Sequence, residues 1–400
     1  MSNDPGSFQT ATTDSKSAGD STDSAELAVG DNGQAQGSYS VTRPRTRVGR
    51  VVKIVATIAM IVVLFLVPIY ATAAWMSVAT WIMVGGVGAM GLTMLLGQAG
   101  QLSLANTFFL LVGGVSYSVF AGPTGDPTYV GFGLTPLLAL VLAIIVSGLV
   151  GALFAPIAGR LSGIYLGVAS LSLVFLGFYL GRVLPQLAGS TSSGRAPVQF
   201  GIGSFTIAPP NPPITLMGVP LGADERKYYL FVILTAIAYV LARGAIKGRI
   251  GRAWRAVRDN EAAATVLGVS VMGAKSSAFV VSSMYAGLSG VMTVWWYSLM
   301  KPDESEFGTF GVTQAIAFLA MVVIGGMGSL VGSILGSAVV FGLPLILTLL
   351  VKNDGVQSGT AFSPGVITNL IYGALIILII MFEPRGLAGL GHRILALFRR

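Results

Sequence analysis

Long apolar runs separated by short polar segments set the frame of this chain. Each run is about 20 residues, enough to cross roughly 30 Å of hydrocarbon as a helix. The alternation of two that a barrel strand needs is absent, so the backbone in lipid must be satisfied within helices. The pattern predicts spans over residues 54–73, 77–96, 104–121, 134–155, 161–180, 228–245, 276–297, 312–328, 330–351 and 366–382. The fold class that follows is all-α, a polytopic membrane protein of about ten transmembrane helices.

The polar segments organise the rest. Residues 1–50 are rich in Ser, Thr, Gly and Asp and end in the basic positions Arg43, Arg45, Arg47 and Arg50, which predicts a disordered tail with a basic juxtamembrane end. Residues 51–384 form the transmembrane domain, and 385–400 a short basic tail. The run at 54–73 is too long for the apolar core of a cleaved leader, so it is read as an uncleaved first span. Most of the 24 Lys and Arg fall in the N-terminal cluster, at Arg160, between Arg243 and Lys275, and in the C-terminal tail. That bias predicts both termini in the cytoplasm of a multi-pass cell-membrane protein, with residues 246–275 inside and 185–227 outside. Pro209, Pro210, Pro212 and Pro213 lie in the outer loop, the place for an extracytoplasmic protein to dock.

Composition narrows the chemistry. Mean hydropathy is +0.79. The chain holds no Cys and one His, His392. Disulfides, thiolate chemistry, Cys-ligated metal and a His-based triad inside the membrane are excluded, and no cofactor is expected. The net charge of +8 flanks spans rather than forming one soluble basic face, which argues against a nucleic-acid partner. The spans lack evident titratable groups of the kind that bind a coupling ion. No Walker A pattern is present either. Uphill transport would therefore need an ATPase on a partner chain, while a passive channel fits the same absence.

Within residues 246–275 the arginines recur every third position at Arg249, Arg252, Arg255 and Arg258. The segment reads as a single water-exposed helix, with Arg255–Asp259 and Arg258–Glu261 as i,i+4 and i,i+3 pairs and Ala262, Ala263 and Ala264 as small helix formers. Gly268 ends it, and Lys275 leads back to the membrane. Small side chains would let a partner approach closely. A second polar cluster, Gln98, Gln101, Ser103, Asn106 and Thr107, lies beside Gly97 and Gly100 and marks a broken helix able to bond backbone or solute. The segments 96–102 and 324–330 share an apolar-G-x-x-G-x-L pattern that hints at duplication. Trp295, Trp296 and Tyr297 read as an interfacial belt.

Several ordered strings resemble one family. GRAWRAVRDNEAAATVLGVSVMGAKSSAF, GQAGQLSLANTFF, GIYLGVASLSLVF, IGGMGSLVGSILGSAVV and LIYGALIILIIMFEPRGLAGL are similar to segments of branched-chain amino acid ABC transporter permeases of the LivM type. The resemblance implies an importer-permease bundle that performs no covalent chemistry, with ABC ATPase subunits, a second permease and an extracytoplasmic solute-binding protein as partners. It implies an ATPase-coupling loop that includes Arg252, Arg255, Arg258, Asp259, Glu261, Ala263, Ala264 and Gly268. Gly97, Gln98, Gly100, Gln101, Ser103 and Asn106 are candidates for the translocation path. Glu261 stands one residue early against the general importer loop pattern, and Ala105 replaces a glycine frequent in the family. Branched-chain or other hydrophobic amino acids are the expected cargo. The alternatives are a urea or short-amide permease of the same family and, from a different class, a facilitative channel or secondary transporter.

Overall fold

A computed structural model describes residues 64–353, apart from short gaps at 69, 162, 191, 204, 208–213, 217–218 and 303–309, and isolated positions between 370 and 389. The N-terminal tail with its basic cluster, most of the expected first span, most of the last span and the C-terminal tail lie outside the described residues.

The helices are α1 (Ala73–Leu92), extended by a π-helical turn (Thr93–Gln98), α2 (Asn106–Ala121), α3 (Pro136–Arg160), α4 (Ile164–Val183) and the single turn α5 (Pro185–Ala188). After two hairpins come α6 (Ala223–Lys247), α7 (Arg249–Asp259), α8 (Glu261–Val266) and α9 (Val271–Tyr297). The chain continues through α10 (Val312–Gly325), α11 (Leu330–Ser337), a second π-helical turn (Ala338–Gly342) and α12 (Leu343–Asn353). Six helices among the described residues are long and apolar enough to cross a membrane, and α2 and α10 are shorter apolar ones.

α1 is the centre of the bundle. Its apolar window is 83% buried, against 28% for α6, so α1 packs on protein while α6 turns much of its surface outward. Lipid offers no hydrophobic gain for helix association, so close approach through small residues supplies the contact. Gly85 faces Ser337 and Phe341, Gly88 faces Phe318, and Gly91 faces Tyr285. α9 crosses α2 where Gly290 lies on the Leu110 carbonyl and Gly113 on Gly287, contacts any β-carbon would block. Hydroxyls join the same helices, as in Ser289 Oγ to the Val84 carbonyl (2.8 Å) and Ser337 Oγ to the Ile82 carbonyl (2.7 Å).

The bundle has two distinct ends. At one, the start of α1 meets the end of α9, where Trp296 Nε1 donates to the Ser77 carbonyl and Thr80 Oγ1 at 3.1 Å each. The segment between α4 and α6 belongs to this end and carries antiparallel hairpins Gly201–Ile202 with Phe205–Thr206 and Ile214–Leu216 with Val219–Leu221, short strands the hydrophobic pattern did not announce. It is clasped by Arg195, which exchanges both backbone hydrogen bonds with Met300 at 2.7 Å and lies over the Tyr129 ring. Burial pulls the Arg195 pKa down from its ordinary value, while Asp126 and Tyr129 raise it. Trp295 corrects the expected aromatic belt. It is fully buried against Tyr117, Phe200 and Phe231, because its position on α9 points it at α2 and α6.

Candidate functional site

The other end of the bundle gathers both polar clusters of the sequence. Gly248, in extended conformation, separates α6 from α7. Along α7, Gly251, Trp254 and Val257 fall on one face and are buried. Trp254 is wholly enclosed and donates Nε1 to Ser277 Oγ of α9 at 2.9 Å. α7 thus lies flat against the bundle, with its arginines on the remaining faces.

Those arginines do more than face water. A helix leaves its last carbonyls without intrahelical donors. Arg252 Nη1 donates to the Lys247 carbonyl at 3.3 Å and Arg255 Nη1 to the Ile246 carbonyl at 3.1 Å, so two of them close the end of α6. Arg255 is half-buried and also donates to Gln98 Oε1 at 3.4 Å. Arg258 Nη1 donates to the Gly97 carbonyl, at the end of the π-helical turn that follows α1. Charge at a helix C-terminus favours each of these contacts.

The expected single helix is broken at Asn260, whose φ of −161° and ψ of 112° interrupt it. Asn260 Oδ1 accepts from Ala263 N at 3.0 Å and so starts α8 afresh, the N-cap role its short amide suits. The break dissolves the expected Arg258–Glu261 pair. Asp259 pairs instead with its neighbour Arg258 at 3.0 Å, and Glu261 reaches Lys275 at 2.7 Å. Lys275 is almost fully enclosed, so this ion pair ties the start of α8 to the base of α9. Gly268, at φ +79°, does end the helix. Its N–H donates to Thr265 and that of Val269 to Ala264, 2.9 Å each, the paired bonds of a Schellman turn.

Of the small residues, Ala263 is exposed but Ala264 is buried against the bundle. The most exposed large apolar residues of this loop are Val266 and Leu267, 88% and 78% accessible, ahead of Ile250 and Met272. Neither was singled out from the sequence. The sequence signal was a large apolar pair closing a helix of otherwise small and polar residues. Trp254 and Val257 were also passed over, although their three-residue spacing from Gly251 marked a buried face.

The second cluster meets the first. Gly97 abuts the backbone of Gly328, and Gln98 Nε2 donates to the Gly328 carbonyl at 3.1 Å. The two G-x-x-G segments therefore touch. Gly100 adopts φ +71° against the side chain of Arg258. Gln101 Nε2 donates to the Ala158 carbonyl at 3.3 Å, and Ser170 Oγ accepts from Leu104 N at 2.7 Å, which holds the non-helical stretch from Gly100 to Ala105 against α3 and α4. Gln98, Gln101, Ser103 and Asn106 are all buried. Gly97 and Gln98 are thus joined to Arg255 and Arg258, whereas Ser103 and Asn106 line a separate small cavity with Ser282 and Ser283. Within a membrane protein, backbone without helical bonds survives away from solvent only when enclosed by protein or lining a water-filled path.

The family described as "Branched-chain amino acid transport system / permease component" matches residues 74–380. The high-affinity branched-chain amino acid transport system permease protein LivM of Salmonella typhimurium is 25% identical over 82% of this chain and 73% of its own length. LivM of Escherichia coli is 24% identical over the same shares. The probable LivM of Methanocaldococcus jannaschii is 24% identical over 64% of this chain and 69% of its own length. No solved structure matches. The match runs from the start of the central helix through both glycine breaks and the arginine loop, and this multi-pass membrane chain belongs to the family of permease components of branched-chain amino acid transport systems.

Proposed function

We propose that this chain is a membrane subunit of an ATP-driven importer of branched-chain or other hydrophobic amino acids, and that residues 246–275 couple it to a separate ATPase. As a transport permease it is not an enzyme. One observation carries the coupling reading. An exposed apolar tip, Val266 and Leu267, sits on a short helix fixed at both ends, and the adjoining α7 bonds through Arg255 and Arg258 to the break after α1. A partner pressing on that tip would move the loop against Gly97 and Gln98, the residues that hold the two glycine segments together. Rigid anchorage is what lets a docking element transmit displacement rather than absorb it.

The arginine end then faces the cytoplasm, as its cations favour, and the hairpin end faces outward. The outer segment around Arg195 is the surface we assign to a solute-binding protein. The second permease rests on the family resemblance. The deciding experiment is uptake into proteoliposomes holding the complete transporter. Leucine accumulation that requires ATP supports the reading. Uptake of urea or acetamide in place of leucine would move the cargo to the short amides. Equilibration without the ATPase subunits would make the chain a facilitative channel.

A further inference from the structure

The N-terminus of α2 is buried and open. Residue 105, at the N-cap, is Ala, which has no side-chain acceptor, and no side chain caps the helix. The first N–H groups of a helix have no partner inside it. Here they lie among buried residues, since Asn106, Thr107 and Phe108 are all enclosed. The side chains repeat the same deficit. Both amide atoms of Asn106, the hydroxyl of Thr107 and Oε1 of Gln101 are buried with no hydrogen-bond partner. Asn106 is only 5% exposed and borders a cavity of about 10 Å³, shared with Ser103, Ser282, Ser283, Phe109 and Phe279. Of these unanswered groups only the Asn106 amide borders the cavity, and a buried amide with neither atom answered is unusual in a folded protein.

We propose that this uncapped helix end, with Asn106, is a carboxylate site on the translocation path, holding the α-carboxylate of the transported zwitterion. The inference rests on the amino acid reading above. The electrostatics select the anion. A 16-residue helix presents partial positive charge and backbone donors at its start, and the Asn106 amide adds two donors. Among the described residues bordering the cavity none is acidic, so an ammonium group would find no counter-charge. Helix N-termini meet substrate carboxylates in transporters by the same physics. The cavity is at the lower limit for one water, so the state described here is closed. The stretch from Gly100 to Ala105 leads directly into the site, and Gln98, two residues before it, is bonded to Arg255. Displacement of α7 is therefore the motion that would open it.

The test uses the intact transporter, with its ATPases, second permease and binding protein, in proteoliposomes at saturating loaded binding protein. Asn106→Asp keeps the shape and places an acid in the first turn, which favours the helix, while putting a fixed anion where the substrate's would go. The expected result is at least a tenfold fall in leucine transport, with wild-type assembly and an unchanged or higher Tm. Asn106→Leu is the second variant, because it removes the amide donors at similar volume without leaving a buried polar side chain unanswered; a severalfold fall is expected. Should Asn106→Asp fail to assemble, Asn106→Leu decides alone. Wild-type transport in the assembled variants would show that the cavity holds only water and would overturn the proposal. Failure of the wild-type transporter to carry any amino acid would instead refute the functional reading on which the site depends.

Discussion

Gln98 donates its amide to the carbonyl of Gly328 at 3.1 Å, across 230 positions of sequence, while its amide oxygen accepts from Arg255. One side chain thus connects the arginine loop to both glycine segments. Gln98→Leu would strip the Gly328 carbonyl and Arg255 of a partner, at about 1–3 kcal/mol for a buried group left unsatisfied. Gln98→Glu keeps an acceptor for Arg255 and loses the donor to Gly328. We expect both variants to assemble and both to lose most leucine uptake, Leu more than Glu. Uptake at the wild-type rate in both would dismiss the connection as packing.

The Glu261–Lys275 pair is enclosed on the lysine side and open on the glutamate side, which places it between a surface pair and a buried one. Glu261→Lys should lower Tm and expose the loop to protease, because it sets a second cation beside an enclosed one. The exchange Glu261→Lys with Lys275→Glu should recover most of the loss. A double-mutant cycle is expected to return a coupling of roughly 1–3 kcal/mol. A coupling near zero would leave the pair without structural weight.

Val266 and Leu267 separate docking from folding. Their exposure means that Leu267→Asp should change stability by no more than about 0.5 kcal/mol. Co-purification with the ATPase subunit should fall by about tenfold or more, equivalent to roughly 1.4 kcal/mol. Ala264→Trp, on the buried side of the same helix, should instead reduce Tm and yield through overpacking. If Leu267→Asp co-purifies normally, the ATPase contact lies elsewhere.

Orientation is open to direct labelling, since the chain has no cysteine of its own. In the chain expressed without the ATPase subunits, Val266→Cys should react with an impermeant thiol reagent only from the cytoplasmic face, and Ser193→Cys only from the outer face. The reverse pattern would invert the assignment of every loop.

Apolar run length made the six long helices legible, because lipid thickness sets a minimum length for a span, while α2 and α10 are apolar but fall short of it. The arginine spacing marked a helix on the bundle end, and Gly268 marked where it stops. What the spacing could not reveal was the destination of the guanidinium groups. Arg252 and Arg255 close the end of α6, a contact set by the turn at Gly248 rather than by anything periodic. The alanines after Asn260 suit a continuous helix, and only the amide of Asn260, bonding its own downstream backbone, divides it. Trp295 misled for a related reason. Its neighbours Trp296 and Tyr297 do stand at a helix end, but one residue of rotation, about 100° on a helix, turns Trp295 into the core. At the path candidates, residue type disclosed polarity but not the absence of partners, which depends on what α2 and α9 fail to supply.

Gly97 and Gly328 meet backbone to backbone, so neither has a side chain with which to compensate a change in the other. Most neighbouring positions can drift as a pair, one growing as its partner shrinks. These two cannot, because both are already at the minimum. The loops that contain them are consequently bound to a common history. An enlargement at Gly97 would have to be answered by moving the backbone at Gly328, while at Gly328 it is the φ of +93° that holds the residue to glycine, so the approach of the end of α1 to the α10–α11 turn rests on both.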